Sequence, residues 1–295
     1  MSPVSCLARA GLLAGWMAAA VVWAEPLELR VASLDAPGGT PVALRAFWFP
    51  ATRTDAAPAP AMVLLHGCGG MFDRQGQPAR RYTELAARLG ALGVHTLAVD
   101  SLGARGEREL CTQRTGQRRV TQLQRRRDAL GALQWLASQP GVDGRRLGLL
   151  GWSNGGSTVL AALNLLHPEV AATAVRPSLA VAFYPGCETE LARGWAASAP
   201  LLLLLGQADD WTPAEPCMAL AQAAVRGQDG PAPVWEAYTG AYHGFDGTEA
   251  VRLRTDVPNG VRPGQGVHVG ANPAARAASA QRLDEFLQTQ WALKP

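Results

Sequence analysis

Along the chain, apolar runs of strand length alternate with longer segments in which apolar residues recur every three or four positions. That alternation predicts an α/β fold: a mostly parallel eight-stranded sheet with helices on both faces. Residues 27–34 and 42–49 alternate apolar with polar positions and read as an opening antiparallel pair, joined through a turn at Pro37, Gly38 and Gly39. Residues 61–65, 94–99, 147–151, 179–184, 201–205 and 234–238 are instead nearly continuous apolar runs, the character of strands buried on both faces. Helical spacing fits 81–92, 120–138, 154–166, 214–226 and 274–287. In the second of these, Leu123, Leu130, Leu133 and Leu136 form a stripe opposite a set of arginines.

No internal repeat interrupts this order, and the stretches 51–60 and 256–270 read as surface loops too short to be domain linkers. One domain over residues 25–295 is expected. The N-terminus has a different character. Arg9 precedes an uncharged run from Ala10 to Val22, and Val22-Trp23-Ala24 ends it with small residues at the outer positions. This is the pattern of a secretory signal over residues 1–24, cleaved after Ala24. The run is shorter than the roughly 20 residues a spanning helix needs, so no stable membrane anchor is expected after cleavage. Cleavage removes Cys6 and leaves Cys68, Cys111, Cys187 and Cys217, an even set in a periplasmic or secreted chain. Two disulfides are expected.

The 295 residues are 48% hydrophobic and 17% charged, an ordinary globular composition. Net charge is +3, and Lys294 is the only lysine, a bias that reflects genome composition rather than a partner. The arginines from Arg105 through Arg118 and Arg119 to Arg125, Arg126 and Arg127 read as a solvated loop and helix face. No aromatic residues are interleaved among them to stack on bases, which argues against a nucleic-acid partner. No ligand cluster or phosphate loop is visible, so neither a metal nor an organic cofactor is expected.

Chemistry enters at Gly151-Trp152-Ser153-Asn154-Gly155, where a buried strand meets a helix. A sharp turn there lifts a serine out of the sheet, in a geometry that side chains at the flanking glycines would obstruct. A serine hydroxyl is a weak nucleophile until a base takes its proton. Of the five histidines, His243 follows the last strand, as the chain order Ser, acid, His requires. The acid should follow a strand between the two, and the 201–205 run leads into Asp209 and Asp210. Either carboxylate would serve, with Glu188 or Glu190 as outside candidates. The two N–H donors of an oxyanion hole are expected at Asn154, directly after the nucleophile, and at Cys68 in His66-Gly67-Cys68-Gly69-Gly70.

With those residues in hand, the chain resembles the dienelactone hydrolase family of α/β-hydrolases from about residue 61 to 287. Four segments carry the resemblance: 66–70, 151–156, 206–213 and 242–245. The resemblance implies that Asp209, three residues after Gly206 and four before Pro213, is the acid. This chain has Ser153 where the name-giving enzyme has cysteine, and Gly67 where that enzyme has glutamate. A small carboxylic ester or lactone is therefore the expected substrate, rather than dienelactone itself. Cys68 and Cys111 follow strands that neighbour each other in this fold, as do Cys187 and Cys217, and those two bonds are expected. Each would contribute roughly 3.5 to 4 kcal/mol in the chain-entropy model.

The segment from Asp100 to Gly106 also resembles one found in bacterial members, which makes Arg105 a candidate contact for a substrate carboxylate, with Trp152 beside it. The short connection 185–200 leaves no room for several cap helices, so an open, shallow site that prefers short, polar or acidic acyl groups is expected. Peptidase or acyltransferase chemistry would use the same triad. A non-catalytic binding protein would be suggested by a missing triad member, and none is missing.

Overall fold

A computed structural model of the protein describes residues 26–53, 58–227 and 230–293. The proposed signal segment 1–24 lies outside the described residues. The strands are β1 (Leu27–Ala32), β2 (Ala43–Phe49), β3 (Ala59–Leu65), β4 (His95–Val99), β5 (Val142–Trp152), β6 (Leu179–Phe183), β7 (Leu201–Gly206), β8 (Val234–Tyr238), β9 (Arg252–Arg254) and β10 (Val267–Val269). The helices are α1 (Arg80–Ala91), α2 (Gln122–Ala137), α3 (Asn154–Leu163), α4 (Pro168–Ala172), α5 (Glu188–Arg193), α6 (Ala214–Gly227) and α7 (Pro273–Trp291). The first eight strands form one sheet in the order β1-β2-β4-β3-β5-β6-β7-β8. β1, β2 and β4 pair antiparallel, and from β4 through β3 to β8 all pairs are parallel. This is the α/β-hydrolase arrangement, without a large cap.

The unbroken apolar runs follow from burial of both faces. In β7, Leu201, Leu203 and Leu205 enter one core with residues of α2, α3 and α6. Leu202 and Leu204 enter the other, with residues of α1 and α7. Successive side chains of a strand point to opposite faces, so a run without polar positions serves two cores at once.

Four expectations are corrected. Residues 234–238 are not buried on both faces: β8 is an edge strand, and Val234 and Trp235 are exposed. The arginines of α2 are not a solvated face. The helix lies on the sheet beside α3, so Arg125 and Arg126 are buried while Leu123 is exposed. The helix expected over 154–166 stops at Leu163, because the Asn164 side chain accepts from the amides of Leu166 and Ala196 and donates to the Gly194 carbonyl. Finally, the segment 256–270 is not a plain surface loop. It contains β10, which pairs antiparallel with β9, and Asn259, Gly260 and Val261 line the cavity described next.

Candidate active site

Ser153 sits at the turn between β5 and α3 with φ of 53°, a left-handed conformation rare for a residue with a side chain. Its amide donates to the Phe183 carbonyl at 2.9 Å, which holds the strained turn against β6. The flanking glycines permit this geometry. A Cβ at Gly151 would collide with the Gly155 carbonyl, and one at Gly155 with the Leu65 carbonyl. Ser153 Oγ lies 2.9 Å from His243 Nε2, and His243 Nδ1 lies 2.8 Å from Asp209 Oδ2.

Asp209 is fixed from several sides. Its Oδ1 accepts from the amides of Trp211 and Thr212, and Thr212 Oγ1 lies 3.1 Å from Oδ2. These donors hold the carboxylate aimed at His243. The imidazole of His243 is flanked by the rings of Tyr184 and Trp211, each with its centroid 4.6 Å away. Tyr184 is itself in a positive-φ conformation, and its hydroxyl donates to Asp246 at 2.7 Å.

Asp210 does something else. Its Oδ1 accepts from the His268 amide and its Oδ2 lies 2.7 Å from His268 Nδ1, which ties β10 to the strand end. The outside candidates for the acid are also elsewhere. Glu190 is buried against His167 and Asn164, and Glu188 lines the cavity without meeting His243.

The loop after β3 packs against the nucleophile turn, so that a Cβ at Gly67 would lie 3.4 Å from the Trp152 carbonyl. It therefore carries Cys68 beside Ser153. The Asn154 amide is the first of α3 and has no acceptor within the helix. His66 lies beneath this loop, with Nδ1 2.7 Å from the Gly67 carbonyl and Nε2 3.2 Å from the Ser101 amide. A carbonyl only accepts and an amide only donates, so the ring is the neutral Nδ1–H tautomer. Burial, helped by the nearby Arg125 charge, pushes its pKa down to about 3.

Arg125 escaped the sequence reading. Its side chain is fully buried, Nη2 donates to the His66 carbonyl at 2.6 Å, and Nη1 donates to Asn154 Oδ1. Its Nε has no partner, and Asp128 and Asp100 act on it only as Coulombic neighbours. Burial lowers its pKa to about 10, so it remains charged at neutral pH.

Two assigned substrate contacts are corrected. Arg105 does not reach the cavity: its guanidinium is held by Asp35 and Asp128 at 2.8 Å and by the Ser101 carbonyl at 2.7 Å. Trp152 points into the opposite core, where its Nε1 donates to Asp246 and its ring stacks on Phe183. The arginine on the cavity wall is Arg118, whose pKa is lowered by burial. The cavity, about 480 Å³, is lined by Ser153, Cys68, Asn154, Arg118, Trp211 and Glu188 among others. Both expected disulfides are present, Cys68–Cys111 and Cys187–Cys217. The first anchors the loop that carries Cys68. Among the described residues, no cluster of His, Cys, Asp or Glu is arranged to hold a metal ion.

The sequence model of the dienelactone hydrolase family matches residues 49–291. No protein of curated function matches the sequence. Among solved structures, Thermogutta terrifontis esterase 2 phosphorylated by paraoxon is 16% identical, with 92% of this chain and 97% of that one covered and a TM-score of 0.63. A dienelactone hydrolase-like promiscuous phosphotriesterase from metagenomic libraries is 18% identical over 90% of this chain and 99% of its own, with a TM-score of 0.60. A Mycobacterium tuberculosis puromycin-hydrolysing peptidase is 21% identical over 75% of this chain but only 37% of its own, with a TM-score of 0.55. At these identities the likeness is one of fold.

Proposed function

Because the chain belongs to the dienelactone hydrolase family, we propose that it is a serine hydrolase cleaving small carboxylic esters or lactones through an acyl-enzyme. The observation that carries this reading is the unbroken path from Ser153 Oγ through His243 to Asp209, opening on a cavity. Ser153 Oγ attacks the substrate carbonyl while His243 Nε2 takes its proton. Asp209 accepts from His243 Nδ1–H and stabilises the imidazolium without being protonated. The amides of Cys68 and Asn154 receive the oxyanion. His243 then protonates the leaving oxygen; a water molecule, deprotonated by the same ring, attacks the acyl carbon, and as the bond to Oγ breaks His243 returns the proton to Ser153.

The cavity of about 480 Å³ is uncapped and mixes apolar Val120, Trp211 and Val261 with polar Thr115, Arg118, Gln122 and Glu188, which suits short acyl groups with a polar end. Arg118, not Arg105, is the basic residue available to them. We assign residues 1–24 to export, since two disulfides suit an oxidising compartment.

The test is fluorophosphonate labelling with peptide mapping, beside a chain-length series of nitrophenyl esters. Label is expected on Ser153, and Ser153→Ala should lose the label and about 10⁶-fold in turnover. Label on another residue, or a variant as active as wild type, refutes the nucleophile. Higher kcat/KM on dodecanoate than on acetate or butyrate refutes the substrate class.

A further inference from the structure

The serine hydrolase reading needs two amides held at a fixed separation, yet they belong to different loops, one after β3 and one after β5. Those strands are neighbours in the sheet, but nothing in their ladder reaches beyond the pair Leu65 and Gly151. Past that point the loops pack backbone against backbone, and one side chain hydrogen-bonds to both. The guanidinium of Arg125 donates with one nitrogen to the His66 carbonyl, in the loop that carries Cys68, and with the other to the side chain of Asn154. We propose that Arg125 is a positioning residue that sets the spacing and aim of the oxyanion hole, an inference that rests on the serine hydrolase reading.

The physical case has three parts. A guanidinium is a rigid planar fork, so two acceptors bound to its two terminal nitrogens are held at one distance, which a flexible lysine would not enforce. Next, Arg125 acts on the Cys68 amide through His66. Arg125 holds the His66 carbonyl while the Nδ1–H of the same residue donates to the Gly67 carbonyl at 2.7 Å, so the two bonds fix one stretch of loop. In a trans peptide the carbonyl of Gly67 and the N–H of Cys68 point in opposite directions, so fixing one aims the other. Lastly, the placement is expensive as a mere staple. Taking a cation out of water without an ion-pair partner is unfavourable. Arg125 is fully buried, with Nε unsatisfied, where an apolar side chain would fill the space without that cost.

Three variants of the full chain test this against nitrophenyl acetate and a trifluoromethyl ketone, which mimics the tetrahedral intermediate. Arg125→Met deletes both arms, Arg125→Lys keeps the charge without the fork, and Asn154→Ala cuts one arm while leaving the backbone amide. Arg125→Met is expected to lower kcat by about 10²-fold with KM nearly constant, and to weaken the ketone in proportion to the loss in kcat/KM. Arg125→Lys should recover only part of that loss. Asn154→Ala should lower kcat by about tenfold and carries the test if Arg125→Met does not fold. Variants that lose thermal stability but keep kcat and ketone affinity overturn the positioning role and leave a structural staple. A wild-type chain that neither takes the fluorophosphonate nor turns over the ester overturns the hydrolase reading, and this role with it. An active wild type with kinetically unchanged variants overturns this role alone.

Discussion

The protein holds two carboxylate–histidine pairs built from adjacent aspartates. Asp209 meets His243 at 2.8 Å and Asp210 meets His268 at 2.7 Å. Distance alone does not separate them. Their surroundings do: the side chains of His243 and Asp209 are 5% and 0% exposed, those of His268 and Asp210 41% and 23%. In the dry pair the far nitrogen of the imidazole faces Ser153 Oγ, and two backbone amides bind the carboxylate. The wet pair fastens a hairpin. What sets the proposed triad apart is desolvation and what lies beyond the histidine, because screened charges at the surface do little of the work of buried ones.

The largest effect expected from this contrast is on turnover. His243→Ala should lose about 10⁶-fold in kcat and Asp209→Asn about 10⁴-fold. His268→Ala and Asp210→Asn should stay within about tenfold of wild type, since neither touches the reacting atoms. Nitrophenyl acetate kinetics on the four variants decide it, and a larger loss from Asp210→Asn than from Asp209→Asn would move the acid to Asp210.

A buried histidine without a close carboxylate sharpens the comparison in the opposite sense. His66 lies 3.8 Å from Asp100 and is neutral, with a pKa near 3 against 6.5 when unfolded. Below pH 6.5 the unfolded chain binds a proton that the folded ring refuses, so stability falls as pH drops from 6.5 towards 3. The slope from this group is about 1.4 kcal/mol per pH unit. Unfolding free energies from urea titrations at about pH 6.5 and 5 should differ by about 1.6 kcal/mol more in wild type than in His66→Asn. Equal differences would mean that the buried ring takes the proton.

The smallest effect concerns the exposed pair itself. A double-mutant cycle on Asp210 and His268 should give a coupling of about 1 kcal/mol or less in thermal stability, weaker in high salt. A coupling of several kcal/mol would show that this pair is shielded too.

Ser153 and His243 were legible because their evidence is local: a glycine-flanked serine between strand and helix, and a histidine after the last strand. Asp209 needed the family resemblance, since nothing in the adjacent letters separates it from Asp210. What failed were readings that depended on distant partners. Arg105 was assigned to substrate because its carboxylates, Asp35 and Asp128, lie 70 and 23 residues away. Arg125 was assigned to solvent because helical spacing does not reveal that α3 covers that side of α2. Trp152 shares a motif with Ser153, but strand alternation sends it to the other face. The β9–β10 pair is hidden in the sequence because its strands are three residues each and its links to the site are tertiary: Asp210 to His268, and the backbone of Val269 and Gly270 to His243.

The two disulfides are consecutive in the chain: Cys68 joins Cys111 and Cys187 joins Cys217, with no crossing or nesting. Of the three pairings open to four cysteines, this is the one reached by joining thiols in their order of emergence. A polypeptide delivered N-terminus first exposes Cys111 to Cys68 well before Cys187 arrives. An oxidant met in that order would form the native connectivity without an isomerase to undo earlier bonds.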